Sequence, residues 1–147
     1  MSQTRKKLKA VSIVVLALAG LSMLNLAFEL FFGESFNSVE IPEGSPDNIV
    51  LIAKIVVAVI SFIVLLPQIY IGFKGIKVAN NPDSSRAHII WGFILFVLTL
   101  ISLISPLMAI IKLEDVFANV AQFLSVAVDA AILFSYIRFA KMVSEGN

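Results

Sequence analysis

Residues 49–72, IVLIAKIVVAVISFIVLLPQIYIG, hold a single charged side chain, that of Lys54. A helix needs about 20 mainly apolar residues to cross the ~30 Å hydrocarbon core of a bilayer. Three further runs of similar length and character fill most of the remaining chain, at residues 10–32, 88–111 and 116–139. The sequence therefore predicts an all-α integral membrane protein, a single membrane domain over residues 1–147 with four transmembrane helices.

Composition agrees with this fold class. The 147 residues are 59% hydrophobic and 14% charged, whereas soluble domains are about 45–50% apolar and about 25% charged. Cysteine is absent, which excludes disulfides and thiolate metal sites, and a single histidine argues against a histidine-rich metal centre. We expect no cofactor and no metal.

The basic residues predict an orientation, because lysine and arginine near membrane ends collect on the cytoplasmic side. Nine of them fall on one side: Arg5, Lys6, Lys7, Lys9, Lys74, Lys77, Arg86, Arg138 and Lys141. The other side has Lys112, and the loop at residues 33–48 has four acidic residues and no basic one. Short connections favour antiparallel neighbours. We expect an up-down-up-down bundle in the cell (plasma) membrane, with both termini cytoplasmic.

A signal peptide is the alternative reading of the first run. It has a basic start, and Ala17-Leu18-Ala19 resembles a small-residue cleavage site. However, the apolar run continues to Phe32, so we predict an uncleaved first helix. Cleavage would leave three spans.

Every run carries one stripe of polar or small residues at helical spacing. Hydrocarbon penalises such residues, so the stripes are expected to face the bundle interior or a partner. The stripes are Ser22, Asn25 and Glu29; Lys54, Ala58, Ser61 and Gln68; Gly92, Thr99, Ser102 and Pro106; and Gln122, Ser125, Asp129 and Tyr136.

Two sets of contacts follow from depth along these stripes. Glu29 and Lys54 are predicted to pair near the outer ends of their helices, with Asn25 and Gln122 nearby, although Lys54 could instead extend outward to the interface. Asp129 lies mid-span, where an acidic group costs on the order of 3 kcal/mol. We expect it to be protonated, paired or beside water, within reach of hydroxyls at a compatible depth: Ser61, Ser102 and Ser125. A proton- or cation-coupled site and a structural hydrogen bond both remain open for Asp129.

Two prolines lie inside the runs. Pro67 and Pro106 remove the amides that would bond the carbonyls of Ile63 and Ser102. They are expected to kink their helices, and the alternative is that the freed carbonyls bind an ion or a solute. The segment Leu66-Pro67-Gln68-Ile69-Tyr70 resembles the proline–glutamine signature of PQ-loop proteins and of the small bacterial sugar carriers called SemiSWEETs. The resemblance covers those five residues, implies a hinge role for Pro67, and departs from the three-helix unit of those carriers.

Several residues near the predicted cytoplasmic ends have simple interpretations. Trp91, Tyr70 and Tyr136 suit interfacial anchoring, and His88 is interpreted as an interfacial residue. Asp83 or Ser84 is expected to cap the third span. A repeat of small residues at Ala127, Ala131 and Ser135 would let another helix approach closely, which favours a tight bundle or a homo-oligomer.

Function is only weakly specified by the sequence. No cluster of catalytic groups and no phosphate-binding glycine loop is present, so we predict no enzyme activity, and the short basic tail gives no reason to expect a nucleic-acid partner. The favoured hypothesis is an accessory, structural or regulatory bundle that acts in the lipid bilayer through helix packing, with itself or a membrane partner protein. The alternative is a small oligomeric carrier or channel with a polar path around Asp129 and Lys54.

Overall fold

The computed structural model describes residues 2–33, 42–83 and 85–146, and these form helices and short connections without a strand. The helices are α1 (Gln3–Phe32), α2 (Ile49–Asn80), α3 (Ala87–Ser102), α4 (Ile104–Ile111) and α5 (Val116–Ser144). Together α3 and α4 make one interrupted segment, Ala87–Ile111. The described chain thus has four helical segments long and apolar enough to cross a membrane, as the sequence predicts.

Several helices extend beyond the predicted spans at one end. The bounds at Phe32, Ile49, Ile111 and Val116 coincide with the predicted ones. By contrast, α1 begins at Gln3, where the Ser2 side chain accepts a hydrogen bond from the Arg5 amide at 3.2 Å. Lysine and arginine are good helix formers, so a charged turn continues a helix beyond its apolar run.

The segments form a closed ring in which α1 packs against α2 and α5, and α3 packs against the same two helices. We call the end of the bundle that holds Gln3, Asn80, Ala87 and Ser144 the terminal end, and the opposite end the loop end. Contacts between α1 and α2 run in opposite order along the two helices. Arg5 donates to the carbonyls of Ala79 and Asn80 at 2.7 and 2.6 Å, and further along α1 the Val15 carbonyl accepts from Gln68.

The tightly packed core lies at the terminal end. Leu8, Ile71, Val78 and Tyr136 are fully buried there. Gly75 makes this packing possible, since a Cβ at that position would meet the Ser12 hydroxyl and the Tyr136 ring. Towards the loop end the side chains become exposed, and Phe117 reaches 90%. The bundle is therefore closed at the terminal end and open at the loop end.

The third segment is interrupted at Leu103, between α3 and α4. Pro106 is buried there and has no amide for the carbonyl of Ser102, which explains the break three residues earlier. The Leu103 amide turns back to the Leu100 carbonyl at 3.2 Å. The segment that holds Pro106 is thus interrupted for one residue, whereas α2 continues as a helix through Pro67.

The predicted cap of the third segment is wrong for Asp83. Helix α3 begins after Arg86 without a side-chain cap. Asp83 instead accepts hydrogen bonds from Lys74 Nζ at 2.9 Å and from the Ser85 amide at 3.0 Å. The hydrogen bond from Lys74 is the main reason that the pKa of Asp83 lies below its usual value. The other predicted cap, Ser84, lies outside the described residues.

Candidate functional site: a polar cavity around Asp129

The polar stripes meet at a cavity of about 370 Å³ between α1, α2, α3 and α5. Its polar lining comes from all four segments and consists of stripe residues. They are Ser22, Asn25, Gln68, Thr99, Ser125 and Asp129. The rest of the lining is apolar, with leucine, isoleucine and valine side chains. Six of the stripe residues thus line one cavity, three of them as exposed side chains: Ser22, Asn25 and Ser125.

Two lining side chains are held by backbone carbonyls. Gln68 Nε2 donates to the Val15 carbonyl at 3.2 Å, which ties α2 to α1 at the cavity wall. Thr99 Oγ1 donates to the Leu95 carbonyl one turn earlier at 2.7 Å. Both bonds use donor groups, so the Gln68 carbonyl oxygen and the Thr99 hydroxyl oxygen keep acceptor capacity. These two oxygens can accept hydrogen bonds from a donor in the cavity.

Among the described residues that line the cavity, Asp129 is the one with a charged side chain. Among the described residues, no donor lies within hydrogen-bond distance of its carboxyl group. The hydrogen bonds predicted from Ser61, Ser102 and Ser125 do not form, and Ser102 Oγ instead donates to the Thr99 carbonyl at 2.7 Å. A carboxyl group without a protein partner is left to bind water, a proton or a cation.

Several of the other predicted polar residues, and both prolines, lie outside the cavity lining. The lining does not include Lys54, Glu29, Ser61, Ser102 or Gln122, nor the prolines Pro67 and Pro106. The ion pair within residues 2–33, 42–83 and 85–146 joins Lys74 to Asp83 rather than Glu29 to Lys54.

The side chain of Glu29 explains why its predicted pairing with Lys54 is wrong. It folds along its own helix, so its carboxyl group lies beside Gly33. Sequence spacing does not reveal this direction of the side chain.

A buried hydrogen-bond chain, which we call the hub, joins three helices on the terminal side of the cavity. It consists of Ile71, His88 and Tyr136, all fully buried. The Tyr136 hydroxyl donates to the Ile71 carbonyl at 2.8 Å, and His88 Nδ1 lies 2.8 Å from the same hydroxyl. Because Tyr136 has one hydroxyl proton and gives it to Ile71, His88 Nδ1 must donate. Within the described residues, His88 Nε2 is buried without a hydrogen-bond partner.

The interfacial interpretation of His88 and Tyr136 is therefore wrong. Both side chains point into the bundle, since Gly75 and Gly92 leave room for the Tyr136 ring. The sequence signal that was missed is this pair of glycines at the depth of a tyrosine. Val15 and Leu133 belong both to the cavity wall and to the buried core, so the core around the hub closes the cavity on its terminal side.

The side chains that could ligate a metal ion were compared by position. In the described part of the chain, no three His, Cys, Asp or Glu residues come together as a group that could hold a metal ion. The cavity therefore offers one carboxyl group, two amide side chains and three hydroxyls as its polar groups. Comparison of the chain with protein-family models, with curated proteins and with solved structures gave no match.

Proposed function

We propose that the chain is a multi-pass plasma-membrane protein that binds a small cationic solute in the cavity around Asp129 and carries it across the bilayer. The four segments would cross in up-down-up-down order with both termini in the cytoplasm. Their length and apolar character support insertion, and the one-sided distribution of basic residues supports the orientation. The proposed activity is transport without covalent chemistry.

The observation that carries this proposal is the convergence of polar side chains from all four segments on one cavity. Polar groups in hydrocarbon are costly and usually mark a solute or ion path. A volume of about 370 Å³ lies within the ~300–1,000 Å³ range of small-molecule sites. A purely structural role would instead be expected to pair the buried groups with one another.

The charge of the lining favours a cation. In the described part of the lining, Asp129 is the one ionisable residue, and it is not accompanied by a lysine or arginine that would attract an anion. Acceptor oxygens of Gln68 and Thr99 suit the N–H groups of an ammonium or guanidinium compound. A solute with one positive charge would neutralise the carboxylate in a place where water is scarce.

The closed terminal end supports a carrier rather than an open channel. The hub and the core around it lie on the terminal side of the cavity, and Ser22, Asn25 and Ser125 of its lining are exposed. In the proposed orientation the cavity is therefore open to the outside and shut to the cytoplasm. Alternating access would require the core at the hub to open while the loop end closes.

Ligand binding and flux test this proposal together. The Tm of purified protein in detergent is measured with protons, sodium, choline, guanidinium or methylammonium as probes. A ligand that binds the folded state shifts the Tm upward. The probe that gives a shift is then followed into proteoliposomes. We expect Asp129→Asn to abolish both the shift and the flux, and Asp115→Asn, at the N-cap of the same helix and outside the cavity, to keep both. Flux that survives Asp129→Asn would count against a carrier that uses this cavity.

The accessory function remains a second candidate because of one feature of α5. Its buried residues Ala130, Leu133, Tyr136 and Ala140 lie on a different face from the small stripe of Ala127, Ala131 and Ser135. Ala131 is exposed, so a second helix could pack there. This candidate predicts an oligomer in mild detergent that Ala131→Leu dissociates, with no flux of any probe.

A further inference from the structure

A second cavity lies between α1 and α2, nearer the loop end, with a volume of about 390 Å³. We call it the α1–α2 groove. Among the residues that the structure describes, its lining is apolar and includes Met23, Ala27 and Phe31 of α1 and Ala58, Phe62 and Ile63 of α2. The contacts of Val15 with Gln68 and of Gly75 with Ser12 set a register that brings Ala27 level with Ala58. Two alanines at one level leave the space that larger side chains would fill.

Helical spacing places Lys54 beside the loop-end side of this groove. Lys54 precedes Ala58 by one helical turn, so the two lie on one face of α2. It is five residues from the start of the helix at Ile49, about 7.5 Å at 1.5 Å per residue, and a lysine side chain is long enough to bring its ammonium group to the helix end. No carboxylate of the described residues lies within 4.0 Å of this ammonium group. The groove thus combines an apolar trough with a positive charge at its loop-end side.

We propose that the α1–α2 groove holds one acyl chain of an anionic phospholipid whose phosphate contacts Lys54. Such a lipid matches both parts of the feature, since its chain is apolar and its headgroup is negative at the depth a lysine reaches. The inference rests on the proposed membrane insertion and is independent of solute binding at Asp129.

A packed helix fits the same surface less well. Helices associate in membranes through small residues and hydrogen bonds between them. The described residues of the groove have no polar side chain, and bulky Phe31, Phe62 and Ile63 contribute to its lining, with exposures of 81%, 46% and 56%. A helix packed over the groove would also cover Lys54, and an apolar helix would not supply a negative group to its ammonium. A flexible chain with an anionic headgroup meets neither difficulty.

Lipid binding to the purified full-length protein tests this assignment. Native mass spectrometry in mild detergent compares phosphatidylglycerol with phosphatidylcholine of identical acyl chains. One basic residue near a charged headgroup contributes on the order of 1 kcal/mol, which corresponds to about fivefold in affinity. We therefore expect the protein to prefer phosphatidylglycerol about fivefold, Lys54→Gln to remove the preference, and Ala58→Phe to weaken the binding of both lipids. Lys112→Gln, the matched loss of the other loop-end lysine, should keep the preference.

Several results would overturn the inference. These are equal affinity of the native protein for the two lipids, or Lys54→Gln behaving like Lys112→Gln. A dimer that Ala58→Phe dissociates, with no lipid retained, would assign the groove to a second copy of the chain. If Ala58→Phe loses its native helicity by circular dichroism, the comparison of the two lysine variants still decides the question.

The outcome can also be separated from that of the proposed function. Extraction of membranes at alkaline pH reports insertion by itself, so a chain that is released fails both proposals. An inserted chain that binds lipid but shows no flux fails only the carrier proposal. An inserted chain with Asp129-dependent flux and no lipid preference fails only the inference about the groove.

Discussion

Replacing Tyr136 with phenylalanine removes one hydroxyl group from the hub and leaves the ring in place. The Ile71 carbonyl loses a side-chain donor but stays in the hydrogen-bond ladder of α2, so its loss is small. His88 Nδ1, which lies 2.8 Å from the hydroxyl, loses its acceptor while remaining fully buried. An unsatisfied buried donor costs about 1–3 kcal/mol. We therefore expect Tyr136→Phe to lower the free energy of unfolding by about 2 kcal/mol.

The assay is a dodecyl sulfate unfolding titration of purified protein in mild detergent, followed by circular dichroism. Tyr70→Phe is the matched control, because Tyr70 is 40% exposed and a surface change is usually within about 0.5 kcal/mol. The double variant Tyr136→Phe, His88→Leu should recover part of the loss, since it also removes the stranded imidazole. If Tyr136→Phe and Tyr70→Phe unfold at the same detergent fraction, the hub does not hold the terminal end together.

Two further predictions concern packing and pH. Gly75→Ala should destabilise the bundle by about 1–3 kcal/mol, because the added Cβ would overpack against Ser12 and Tyr136. Gly20→Ala is the control and should be neutral or stabilising, since a Cβ at Gly20 meets nothing within 4 Å. Equal effects of the two variants in the dodecyl sulfate titration would contradict the close approach at Gly75. The pKa of Asp83 should lie below the 3.8 of an isolated aspartate. The interaction of its carboxylate with Lys74 therefore stabilises the α2–α3 connection above about pH 4. This stabilisation is lost as the pH falls through the pKa of Asp83 in the folded state. An NMR titration of the Asp83 carboxyl carbon checks this, and Lys74→Met should raise its pKa; an unchanged titration would show that Lys74 is not the cause.

The sequence predicts the helical segments well because length and apolar content are local properties. The ends at Phe32 and Ile49 are marked by an abrupt change to glycine, proline and acidic residues. The ends near Gln3, Asn80 and Ser144 are not, because helix-forming lysines and arginines carry the helix past the apolar run. Interruption at Leu103 was also predictable, since a proline removes a specific backbone bond.

The candidate site was only partly predictable, because the sequence does not give the rotation of each helix about its axis or the direction of each side chain. Helical spacing shows which residues share a face and how deep each one lies. It does not show how far each helix is rotated about its axis, which decides that Asn25 lines the cavity and Gln122 does not. Helical spacing also does not reveal that two aromatic rings near the ends of different apolar runs contact each other, as His88 and Tyr136 do. Those contacts depend on close helix approach at glycines, a property of pairs of segments.

The interruption at Leu103 divides the third segment into two helices with different surroundings. The sixteen-residue helix α3 holds His88 of the hub, whereas the eight residues of α4 contact α5 and α3 nearer the loop end. Because the helical hydrogen-bond pattern is broken at one residue, the direction of α4 is set by its own packing and not by the direction of α3 alone. The part of the segment in the tightly packed core and the part nearer the loop end are therefore separate structural units.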